Sequence, residues 1–153
     1  MKKILMITVV FIVSISSFGQ KVKIKNDVAQ VDGEPYVEFT TITFGSDYSI
    51  KHVNSTEQEI SILYLDYVDP SRATKGNPEG KVRWIEVSFL TLNLKCEVDS
   101  RTRKGFVKMI YQSNIYVDGK LNPDNVQKFV NKYGTKFSDN RPQNGNTTII
   151  INN

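Results

Sequence analysis

Two neighbouring stretches of this chain, "VRWIEVSFL" and "LTLNLKCEVD", alternate their side chains with a period of two. In the first, Ile85, Val87 and Phe89 share one parity, and Trp84, Glu86 and Ser88 the other. In the second, Leu92, Leu94, Cys96 and Val98 oppose Thr91, Asn93, Lys95 and Glu97. Successive side chains of a strand point to opposite faces, so this pattern demands a sheet with one buried face. It also places the single thiol, Cys96, in the core. One cysteine closes no intrachain disulfide, so packing alone must hold the fold.

Most of the remaining chain reads the same way. "KVKIK" sets Val22 and Ile24 between lysines, and "EISILYLDYV" is a strong strand candidate. "AQVDGEPYVEF" places Asp32-Gly33 between two β-prone runs, where Asp-Gly suits the positive φ angles of a tight hairpin. Residues 39–44 and "DYSIKHV" add further strands. Ser100 to Lys104 reads as a polar, basic hairpin loop, and "GFVKMIYQSNIYV" after it as one long strand or two short ones.

One helix is expected, in "LNPDNVQKFVNKYG". Asn122 can cap it, Pro123 suits the first helical position, and Asp124 favours the positive end of the dipole. Val126, Phe129, Val130 and Tyr133 form one apolar stripe, and Gly134 suits the residue after the helix. So short a helix is marginal alone and must dock on the sheet. The expected fold is therefore α+β: a mostly antiparallel sheet of about six to eight strands with one C-terminal helix packed on a face.

The chain begins differently. Lys2 and Lys3 precede a run from Ile4 to Ile15 in which only Thr8 and Ser14 are polar, and Ser17 and Gly19 stand before Gln20. That is the layout of a signal peptide, and the run is shorter than the ~20 residues a spanning helix needs. Residues 1–19 are expected to be removed, giving a periplasmic or secreted protein with no membrane span. Residues 20–137 then form one β-rich domain, and residues 138–153 a polar tail ending in "TTIIINN". Without Lys2 and Lys3 the chain has 18 basic against 16 acidic residues, a net charge of only +2. No basic stripe forms, and nucleic acid is not an expected partner.

Tests for chemistry fail one by one. "NIYVDGKLNPDN" can be aligned with a calcium loop, but Tyr116 and Asn125 occupy ligand positions and one carboxylate remains. A turn followed by a helix cap explains it better. His52 is the single histidine and reads as a strand-end surface residue, too few for a zinc site. No phosphate loop or nucleophile elbow occurs. No catalytic, metal or cofactor residue is assigned.

What remains is the 13-residue stretch from Asp69 to Lys81, "DPSRATKGNPEGK", between two strong strands. Long irregular loops more often carry contacts than short ones. Arg72, Lys75 and Asn77 within it, with Tyr67 and Trp84 on the flanking strands, are the candidate contacts. Aromatic residues there could stack on sugars or anchor a protein, or they could fill the core.

The order "VDG", a "DP…NP.G" loop, "WIEVSFL", "KCE", "VDGKLNP" and a helix ending "YGTKFS" resembles uncharacterised small exported proteins of Bacteroidetes bacteria. The resemblance implies export and carries no activity. The expected function is a non-enzymatic envelope or secreted module binding a protein or glycan. The alternatives are a small secreted hydrolase and a structural accessory protein.

Overall fold

The computed structural model describes residues 20–42, 47–99 and 102–141. The signal-peptide reading and "TTIIINN" lie outside them. Seven strands follow one another across a single antiparallel sheet: β1 (Val22–Lys25), β2 (Val28–Val31), β3 (Glu34–Thr41), β4 (Tyr48–His52), β5 (Ile60–Val68), β6 (Lys81–Phe89) and β7 (Leu94–Asp99). The β2–β3 hairpin turns at Asp32-Gly33, with φ of 54° and 99°, as its Asp-Gly pair predicts. Leu90–Asn93 forms the β6–β7 turn, so the second alternating stretch enters its strand only at Leu94.

Register then fixes which side chains share a face. Phe39, Ile50, Ile60 and Phe89 stand side by side across four strands, and Ile62, Val87 and Cys96 across three. All seven are buried, Cys96 completely. Two helices cover this face: α1 (Arg103–Gln112) against β1 and β2, and α2 (Pro123–Tyr133) against β7. The fold is α+β, with a helix near the C-terminus packed on the sheet, as expected.

Helix α2 forms as its sequence dictates. The Asn122 side chain accepts from the Asn125 amide at 3.0 Å, Val126 and Phe129 are buried, and Gly134 ends the helix at φ 58°. Helix α1 corrects the strand reading of "GFVKMIYQSNIYV". The Thr102 hydroxyl accepts from the Gly105 amide, and Phe106, Val107 and Ile110 are buried against the sheet. The β-branched and aromatic residues that suggested a strand lie here on the apolar side of a helix, where docking overrides local propensity. Beyond it, β8 (Tyr116–Val117) and β9 (Lys120–Leu121) pair around Asp118-Gly119, φ 50° and 75°. The calcium-like stretch is thus a tight turn followed by the α2 cap.

The chain does not stop at the edge of the sheet. Past Gly134, whose carbonyl accepts from the Glu97 amide at 2.7 Å, it crosses to the opposite face and forms α3 (Lys136–Asp139). The described fold therefore continues through Ser138–Arg141, beyond the domain end expected at residue 137. Tyr67, Val82 and Trp84 form a second, smaller core on that face, with Phe137 packed against it.

Candidate functional site

Strands β5 and β6 are longer than their neighbours. Pairing of β4 stops at Ile62, and that of β7 at the Trp84–Asp99 pair. The rest of the hairpin, to the Val68–Lys81 pair, extends past both. Its connection, residues 69–80, is therefore the tip of a two-stranded arm that runs beyond the pairing of its neighbours among the described residues.

That tip is internally braced. Asp69 accepts from the Ser71 amide at 3.0 Å and hydroxyl at 2.6 Å, capping a short 3-10 turn at Pro70–Arg72. The Ser71 hydroxyl bond, foremost, holds the Asp69 carboxyl below its ordinary pKa, with Arg72 adding. Thr74 and Asn77 exchange backbone hydrogen bonds. The Asn77 side chain accepts from the Lys81 amide at 2.9 Å and donates to the Lys81 carbonyl at 3.1 Å. Gly80 is buried at φ 67°, and a Cβ there would lie 2.0 Å from the Asp69 carbonyl oxygen. Glycine is required at that position on both counts.

The five candidate contacts separate accordingly. Arg72 is exposed and leans on Asp69 at 3.3 Å, and Lys75 is exposed. Asn77 spends its amide on the strand rather than offering it outward. Tyr67 and Trp84 are buried against each other, ring centres 5.5 Å apart, and Phe137 stacks on the indole at 5.8 Å. The parity of β6 put Trp84 opposite the core face; what sequence reasoning missed was the helix that covers it. Val68, 52% exposed, and the Asp66–Lys81 ion pair at 2.7 Å stand on the arm's other face.

Sequence reasoning missed a second cluster as well. His52 ends β4, as expected, but lies half-buried between Tyr36 and Tyr116, with ring centres 5.8 and 5.2 Å away. Tyr111 stacks edge-on against Tyr36 at 5.0 Å. Burial pushes the phenols of Tyr36 and Tyr116 well above the usual range, and pushes His52 down against the pull of Glu59. His52 Nδ1 accepts from the Asn54 amide at 3.2 Å, which leaves the proton of the neutral ring on Nε2. Buried Glu59 accepts from the His52 backbone amide at 2.9 Å, so it does not orient the imidazole as a catalytic partner would. Cys96, its thiol pushed up to about 12 by burial and then by Glu97, sits in the core.

Two shallow depressions, of about 240 and 170 Å³, are lined by neither acids nor histidine. Among the described residues, no three His, Cys, Asp or Glu side chains converge as a metal site would require, and no helix is long and apolar enough to cross a membrane. Compared with known protein families, curated proteins and solved structures, the chain finds no match.

Proposed function

We propose that this is an exported, non-enzymatic module that binds a protein partner through the tip of the β5–β6 arm. The observation that carries the reading is the bracing of that tip. Asp69, Thr74, Asn77 and Gly80 fix a backbone that a mere connection would leave loose. A fixed loop loses less entropy on binding, which is how a small surface gains affinity. Arg72, Lys75 and Val68 then offer two cations and an apolar side chain on a fixed backbone. A protein suits that surface better than a glycan, because the rings that would stack on sugar, Tyr67 and Trp84, are covered. Export follows from the arrangement of Lys2, Lys3, the apolar run and Gly19.

Charge removal at the tip tests the reading while leaving the side-chain bonds of Asp69 to Ser71 and of Asn77 to Lys81 in place. The double change Arg72→Gln and Lys75→Gln gives up only the exposed Arg72–Asp69 pair and should leave unfolding within about 1 kcal/mol of wild type. Capture of partners from envelope extract should fall sharply. Undiminished capture would remove the tip from the contact surface.

A further inference from the structure

We propose that the groove between Glu97 and Trp84 is a peptide-docking site closed in cis by α3. Its outside occupant is a protein segment presenting an aromatic side chain followed by a hydroxyl residue at the start of a helical turn. The proposal does not rest on the reading of the arm tip.

Helix α3 has four residues, too few to be stable unaided, and it buries none of them fully. Specific contacts hold it instead. Glu97, 1% exposed, projects from β7 on the face away from α1 and α2. Its carboxylate accepts from the Phe137 amide at 2.8 Å, the Ser138 amide at 3.0 Å and the Ser138 hydroxyl. Phe137 lies flat on Trp84, the planes 6° apart, and Lys136 reaches Asp99 at 3.5 Å. The groove thus reads three consecutive residues: a cation, a ring, and a hydroxyl with its amide. Any peptide segment that enters a helical turn can present two successive backbone amides to that carboxylate in the same way.

Two further observations favour a replaceable strap. Trp84 is 3% exposed, yet its indole Nε1 meets no acceptor among the described residues. Phe137 stacks on the ring and offers that donor no acceptor, a deficit that a segment carrying a carbonyl there would relieve. The strap hangs from α2 by Gly134, at φ 58° and ψ −150°, with open space where a Cβ would be. Rotation about that glycine's ψ would release the Glu97 amide from the Gly134 carbonyl and swing α3 off the groove without moving α2.

The test uses the full chain and the labelled synthetic peptide GTKFSDNR, which copies residues 134–141. Trp84 is the single tryptophan, so its fluorescence reports groove occupancy. In wild type the tethered strap competes. Phe137→Ala should bind the peptide about tenfold more tightly or better, because the open state is no longer rare. A peptide with Ala for Phe should not bind, and adding Glu97→Gln, which keeps one acceptor oxygen but loses the charge, should weaken binding. Ser138→Ala, which keeps the ring and removes one donor to Glu97, should give a smaller gain and serves if Phe137→Ala loses native circular dichroism. The proposal is overturned if folded Phe137→Ala binds no better than wild type, accepts the Ala peptide equally, or prefers cellobiose to the peptide.

Discussion

Gly80 joins the two strands of the arm at one atom's clearance. An alanine there would need a left-handed backbone and would drive its Cβ into the Asp69 carbonyl. Gly80→Ala should therefore cost about 1–3 kcal/mol in a urea melt, from backbone strain before any clash is counted. Gly76, with open space around its Cβ position, serves as the control. Cys96 makes a second residue-level test: buried, with its thiol pushed up to about 12, it should resist thiol reagents until denaturant is added. His52 supplies the third. Burial lowers its folded pKa below the ordinary value, so the unfolded chain binds the proton first as pH falls. Stability is full above about pH 6.5 and declines as pH drops through that value toward the lower folded one. His52→Phe should flatten the slope between about pH 7 and pH 5.5 relative to wild type. The burial of Cys96 was legible from period-two alternation, which needs no partner to be interpreted. The surroundings of His52 were not, because Tyr36 and Tyr116 reach it from two separate elements, and Tyr111 backs Tyr36 from a third.

At the scale of elements, docking decides what propensity leaves open. Phe129 of α2 is 2% exposed and packs against Phe89, so Phe129→Ala should cost about 3–5 kcal/mol. Lys128, exposed beside it, should tolerate alanine within about 0.5 kcal/mol. Helix α2 was legible because cap, proline, stripe and terminal glycine all agree. Helix α1 was not, because Gly105 weakens its first turn and Phe106, Val107 and Ile110 belong equally to a strand's vocabulary. Phe106→Ala should prove as costly as Phe129→Ala, which a strand-edge residue would not. The bracing of the arm tip was also hidden. "DPSRATKGNPEGK" looks irregular because its order lies in side-chain bonds to backbone, which leave no periodicity to read.

Across the whole molecule, the sheet has two unequal sides. One carries the main core and two helices; the other is mostly polar, with a small aromatic cluster under the strap. The arm runs past the paired ends of β4 and β7, and its braced tip is the surface the proposed function depends on. Photo-crosslinking from single sites tests that most directly. A photoreactive side chain is placed at Lys75 on the tip and, in a separate protein, at Lys23 on exposed edge strand β1. Each is irradiated in intact envelope, and adducts are resolved by mass. The account predicts a discrete protein adduct from position 75 and none from position 23. Equal adducts from both sites, or an adduct from position 23 alone, would contradict it.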